Sequence, residues 1–344
     1  MKKTARVIEN IVLTAVLSAA VLFSGCGRHN FLYWINRAAA AKDPQTRINY
    51  YSEAIKKWRA SDGSDRKSAV YNALGNLYFE KGDYVSAVGD YDGALKINSG
   101  DAGTHYNRGL AYYEKGDYGM VIKDFEKVIA AVPRSFEAYD ICGAAYGKTG
   151  DFKKAVSLIS RAIEINPKYA HAYYNRGVAF NCLGEYDSAI EDFGKAISLD
   201  NGYAGSYIGR ATAYFNKRMY GSALKDYSKA IAADPRSGIA YNNAGYIYFD
   251  EGEYGKAMAS FARAYGIDRR DWDSILGLAL VNMKLKNHAL TEKYFVEAAA
   301  VEPVLREGAA GLEKLNKKGY FYTARQKESF GEIYGIYGAA LRPH

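Results

Sequence analysis

Glu80-Lys81-Gly82-Asp83-Tyr84 returns 34 residues later as Glu114-Lys115-Gly116-Asp117-Tyr118, and the same interval governs the chain on either side. A small residue recurs at Gly75, Gly109, Gly143, Gly177, Ala211, Gly245 and Ala279. Three positions on, an aromatic stands at Tyr78, Tyr112, Tyr146, Phe180, Tyr214 and Tyr248. A second aromatic series, Tyr84, Tyr118, Phe152, Tyr186, Tyr220 and Tyr254, precedes Ala94, Ala162, Ala196, Ala230, Ala264 and Ala298. Seven units run from Ser68 to Leu305 without a slip in period. Fixed-period self-similarity marks a repeat architecture, in which each unit buries its apolar face only against its neighbours.

Each recurring residue type has a physical task. The small residue lets a second helix approach the first closely, and the aromatic one turn further fills the space between them. Gly82 suits a left-handed helix end, and Asp83 can cap the helix that follows. That second helix carries a seam of Ala87, Tyr91, Ala94 and Leu95 at helical spacing. Pro133, Pro167, Pro235 and Pro303 punctuate its exits, where a missing N–H does little harm. Nothing with the period of a strand competes in this region.

A period of 34 with these residues resembles the tetratricopeptide repeat (TPR) family. The resemblance implies an all-α solenoid, a right-handed superhelix of helix–turn–helix repeats over residues 68–305, with C-terminal capping helices over residues 306–344. Phe31 to Ala60 reads as a degenerate first repeat, with Lys42-Asp43-Pro44 at its turn and Tyr51, Ala54 and Ile55 imitating the second helix. The last repeat loses its turn glycine, Lys286 and His288 standing in the Gly and Tyr slots.

The N-terminus carries a separate signal. Lys2, Lys3 and Arg6 precede an apolar run from Ile11 to Phe23, too short to cross a bilayer and suited to a signal peptide. It ends at Phe23-Ser24-Gly25-Cys26, which resembles the lipobox of bacterial lipoproteins. That resemblance implies a signal peptide over residues 1–25 and a lipidated Cys26 at the start of residues 26–67. Gly27 in place of Asp favours the outer membrane, facing the periplasm, by the enterobacterial rule. The remaining cysteines, Cys142 and Cys182, are expected to be buried thiols.

Composition is that of a folded body, with 49% hydrophobic and 24% charged residues; ten of the 32 tyrosines fall in the two aromatic series. The net charge of +8 is spread along the chain, without the basic stripe that nucleic acid binding requires. Gly147-Lys148-Thr149 mimics the end of a phosphate loop, but the glycine spacing is wrong and no strand precedes it. The five histidines stand apart from one another, and no Gly-x-Ser-x-Gly elbow occurs. No enzyme activity, cofactor or metal is expected.

Function is therefore expected in the groove. In the resembled family the first helix of each repeat lines the concave surface. Carried over position by position, this nominates Asn76, Phe79, Tyr106, Asn107, Tyr113, Tyr174, Asn175, Asn181, Phe215, Asn243, Tyr246 and Phe249. Asn107, Asn175 and Asn243 occupy one repeat position, from which an amide can hold an extended peptide backbone. The carboxylate clamp of chaperone-binding members is absent, its basic positions reading Glu137 and Ile141. The expected role is a membrane-anchored lipoprotein scaffold for protein or peptide partners in envelope assembly. The alternative is an accessory lipoprotein of a transporter, holding a small molecule or lipid in its aromatic groove. One structural expectation accompanies these: Arg108, Arg176 and Arg210 should pair with Asp124, Asp192 and Asp226, sixteen residues on. Leu74 with Asp90 breaks that pattern.

Overall fold

The computed structural model describes residues 30–317 and 322–341, so Cys26 and the signal-peptide residues lie outside the described residues. The described residues form helices α1 to α18, without a strand, in two compact units divided after Pro167.

The first unit contains four helical hairpins: α1 (Phe31–Ala40) with α2 (Pro44–Lys57), α3 (Ser64–Glu80) with α4 (Tyr84–Ile97), α5 (Ala102–Lys115) with α6 (Tyr118–Ala131), and α7 (Phe136–Lys148) with α8 (Phe152–Ile165). The second contains α9 (Ala170–Leu183) with α10 (Tyr186–Leu199), α11 (Ala204–Asn216) with α12 (Tyr220–Ala233), α13 (Gly238–Glu251) with α14 (Tyr254–Ile267), and α15 (Trp272–Lys284) with α16 (His288–Val301). It closes with α17 (Ala309–Lys317) and α18 (Ala324–Tyr337). Within each unit, the first helix of a hairpin (helix A) packs on the second (helix B), and helix B packs on the next helix A.

The turns explain the repeated glycine. Gly82, Gly116, Gly150, Gly184 and Gly252 all sit at positive φ, between +77° and +90°. There the chain closes a Schellman motif: the Asp83 N–H reaches the Tyr78 carbonyl at 2.9 Å, and Asp117 reaches Tyr112 likewise at 2.9 Å. Arg218 and Lys286 occupy the same turn position and are forced to φ of 59° and 60°. Asp43, Asp83 and Asp151 accept backbone N–H groups as helix N-caps, at 2.7, 3.1 and 3.0 Å.

The core differs from the sequence expectation in one respect. The side chains sealed between helices are those of helix B sixteen residues beyond the small slot: Tyr91, Phe125, Ile159, Phe193, Tyr227, Phe261 and Phe295. The helix A aromatics expected to fill this space are, apart from Tyr112, only partly buried. The small slot exists to admit the helix B side chain. A Cβ added at Gly75 would stand 2.5 Å from the Tyr91 ring, and one at Gly245 would stand 2.7 Å from Phe261. Phe261 is gripped from the next repeat too, where a Cβ at Gly277 would again lie 2.5 Å away.

The three expected ion pairs form, each in two-point geometry. Arg176 donates through Nε and Nη2 to Asp192 at 2.7 and 2.8 Å; Arg210 does the same to Asp226 at 2.7 and 2.9 Å. Arg108 holds Asp124 at 2.9 and 2.6 Å and adds Asp92 at 2.5 Å. Asp90, opposite Leu74, has no such partner among the described residues, and burial pushes its carboxyl up to about 6. Cys142 is buried, its thiol pushed up to about 12, whereas Cys182 is exposed on α9, contrary to expectation.

In the second unit α18 packs across α15 and α16, with Phe330 against Phe295 at 5.8 Å between ring centroids. Thr323 caps α18 and also donates to Asp250 at 3.0 Å, and Gln326 joins the same carboxylate at 3.0 Å. The C-terminal helix is thereby tied to α13.

Candidate functional site

Helix A residues of successive repeats come side by side, with α3 beside α5, α9 beside α11, and α13 beside α15. The residues nominated from the sequence fall on these helices but are put to different uses. Phe79, Tyr113, Phe215 and Phe249 each meet the aromatic that opens helix B five residues later. Their ring centroids lie 5.3 to 5.7 Å from those of Tyr84, Tyr118, Tyr220 and Tyr254. They pin the hairpin across its turn. Phe249 is wholly buried, so its place in a groove is corrected: it belongs to the core of the second unit. Phe79, Tyr113 and Phe215 are only partly buried.

The asparagines are also committed. In the first unit, the Asn107 amide nitrogen donates to Asn72 Oδ1 at 3.2 Å and to Asn76 Oδ1 at 3.1 Å. Asn76 Oδ1 further accepts the Tyr91 hydroxyl at 2.7 Å, and Asn72 donates to Thr104 at 2.8 Å. These amides stitch α3 to α5, which revises the expectation that they wait for a peptide. Tyr106 leans on Phe125, and burial raises its hydroxyl to about 12.

In the second unit Asn175 contacts His171 at 3.1 Å, and Asn181 donates to the Gly209 carbonyl at 3.0 Å. Tyr174 stands edge-on to Tyr203 with ring centroids 5.0 Å apart. Phe215, Asn243 and Tyr246 are brought together around one pocket of about 690 Å³, formed by α11 to α15 and Tyr322. That is within the range of about 300–1,000 Å³ usual for ligand sites. Tyr246 is 6% exposed, which corrects its expected role as an open contact surface: its hydroxyl donates to Asp273 Oδ1 at 2.8 Å. Tyr322 donates to the same oxygen at 2.7 Å, and Asn242 donates to Oδ2 at 2.7 Å. Burial raises the Asp273 carboxyl while these three donors pull it back down. Asp271, the N-cap of α15, is likewise raised by burial.

Comparison with known proteins agrees with this architecture. Models described as TPR repeat or tetratricopeptide repeat match residues 75–116, 102–133, 136–169, 170–203 and 208–275, together more than half of the chain. The chain belongs to the tetratricopeptide repeat family. Among solved structures, a TPR protein from Parabacteroides merdae aligns at a TM-score of 0.57 and 20% identity, covering 69% of this chain and 93% of that one. MamA aligns at 30% identity and a TM-score of 0.46, covering 49% of this chain and 92% of that one. YrrB, described as a TPR protein with an unusual peptide-binding site, aligns at 25% identity and 0.46, covering 55% and 95%. No curated protein matches the chain.

As a TPR protein the chain carries an interaction scaffold. No cluster of three metal-ligating side chains occurs among the described residues, and none of their helices is long and apolar enough to cross a membrane. Sequence reasoning missed Asn242, Asp271 and Asp273, which build the polar side of the pocket. Acidic residues at repeat turns and helix surfaces read as solvated faces, whereas here Tyr322, from outside the repeats, binds Asp273.

Proposed function

We propose that this protein is a lipid-anchored scaffold that binds a protein or peptide partner on the helix A face, with the pocket of the second unit as the principal contact. The observation that carries this reading is the convergence of Phe215, Asn243 and Tyr246 with Trp272 and Tyr322 on one cavity of about 690 Å³. A mixed aromatic and polar lining gives contact area together with directional hydrogen bonds, as peptide sites require. The anchor rests on Cys26 following Ser24-Gly25 at the end of the apolar run, where acyl chains would add about 0.8 kcal/mol per buried methylene. On this reading the chain works in the bacterial cell envelope, at the outer membrane facing the periplasm, as a scaffold and not as an enzyme. The transporter-accessory reading draws on the same pocket, but its acidic lining suits a lipid tail poorly.

Two measurements test the proposal. Labelled palmitate should enter the wild-type chain and not Cys26→Ala; label in the variant would refute the anchor. A photo-crosslinking residue at Phe215 should capture a polypeptide, while one at the exposed Lys153 should not. Adducts from Lys153 alone would place the partner on α8 of the first unit and refute the pocket.

A further inference from the structure

The polar side of the second unit's pocket is built for one sign of charge. Asn242 is 5% exposed and lines the cavity. Its Nδ2 must face Asp273, because turning the amide over would set oxygen against carboxylate oxygen. The other amide atom, Oδ1, is buried without a hydrogen-bond partner among the described residues. A buried acceptor held in place and left unpaired costs the molecule its desolvation until a donor arrives. Asp273 offers no such donor, since its two oxygens already take three donors.

The surroundings say which donor fits. Asp268, Asp271 and Asp273 all line the pocket, and Arg270 is the one basic residue among the described residues that line it. Arg270 donates its backbone N–H to Asp268 at 2.8 Å, and no ion pair joins its guanidinium to any of the three among the described residues. Three carboxylates against one guanidinium leave an excess of negative charge beside the unpaired acceptor. Trp272, Tyr227, Tyr246 and Tyr322 are the aromatic residues among those that line it. Aromatic faces attract cations, and a guanidinium can hydrogen-bond in its plane while stacking across it.

We propose that this pocket takes the basic side chain, foremost arginine, of an extended peptide segment, donating N–H to Asn242 Oδ1 with its charge set against Asp271. The proposal rests on the peptide-binding reading above and gives the partner's chemistry. An arginine carries five N–H donors in a fixed fork and is weakly hydrated, so it can serve an amide oxygen and a carboxylate at once. A neutral acceptor-only ligand would leave Oδ1 unpaired, and an anion would face the three carboxylates.

The test uses the full chain and three probes: Ac-Ala-Arg-Ala-NH2, the same tripeptide with citrulline, and free argininamide. Citrulline keeps the shape and removes the charge. Calorimetric titration should show the arginine peptide binding about tenfold or more tighter than the citrulline peptide. It should also bind tighter than argininamide, because the segment and not the side chain alone is the ligand. Asp271→Asn keeps an effective N-cap and should therefore fold normally. It should weaken the arginine peptide by roughly fivefold without lowering the melting temperature. Equal affinity for arginine and citrulline, an unaffected Asp271→Asn variant, or tighter binding of argininamide would each overturn the proposal. Polypeptide capture at Phe215 that persists in Asp271→Asn alongside such a result would leave the scaffold standing and remove only the charge preference.

Discussion

Replacing Arg176 by Ala isolates the contribution of an ion pair that the repeat uses three times. Arg176 binds Asp192 through two parallel hydrogen bonds of 2.7 and 2.8 Å, and the Asp192 side chain is 6% exposed against 22% for Arg176. Deleting the guanidinium leaves a carboxylate in a nearly closed site. Breaking a fully buried pair costs about 3–5 kcal/mol, because the remaining charge is uncompensated. The partial exposure of Arg176 lets water follow into the vacated space, so the expected loss is about 2–3 kcal/mol. Arg176→Leu with Asp192→Leu removes both charges and should return to within about 1 kcal/mol of wild type. Stacked repeats need not unfold in one step, so urea curves followed by circular dichroism should be paired with hydrogen exchange across α9 and α10. Wild-type stability in Arg176→Ala, or a double variant as weak as the single one, would refute the reasoning.

Asp90 stands where that pair is missing, and it supplies the next prediction. Its carboxyl is raised by burial to about 6 from 3.8, so the folded state holds the proton more tightly than the unfolded chain does. Stability is then fully present below about pH 4 and falls as pH rises towards 6. Asp90→Asn should accordingly stabilise at pH 7 by about 1 kcal/mol, after discounting for solvent screening, and do little at pH 4; a pH-independent difference in melting would contradict this. Arg218→Gly and Lys286→Gly should each gain roughly 0.5–1 kcal/mol, since relief of the left-handed backbone exceeds the added freedom of the unfolded chain. Melting points lower than wild type would show that those side chains make contacts outweighing the strain. Asn107→Ala should lower stability by about 1–2 kcal/mol, because Asn72 and Asn76 lose their shared donor. An unchanged melt would mean that the amide bridge between α3 and α5 is dispensable.

What was legible in the sequence follows from how a repeat stores information. A constraint met inside one repeat recurs at a fixed interval and can be read: the turn glycine at Gly82 and its successors, and the pairing of Arg176 with Asp192. The glycine at Gly75 was legible as a close approach and Tyr91 as part of the helix B seam, but the space between the helices was given to Tyr78. The sealed series from Tyr91 to Phe295 has the same period and was available to the same reading; only the direction of helix B decides which aromatic points inward. Phe249 and Tyr246 show the second limit. Position within a repeat nominates them for the groove, yet exposure depends on what covers that position in the folded unit. Tyr322 packs on Tyr246 and joins it on Asp273, and no periodic signal encodes a contact made once. The pocket is therefore the least legible part of the molecule for the reason that makes it a candidate site. It arises where the repeats stop being equivalent, at the junction of the last hairpins with the C-terminal helix, and there the unpaired Asn242 oxygen and the unneutralised Asp271 remain for a partner to satisfy.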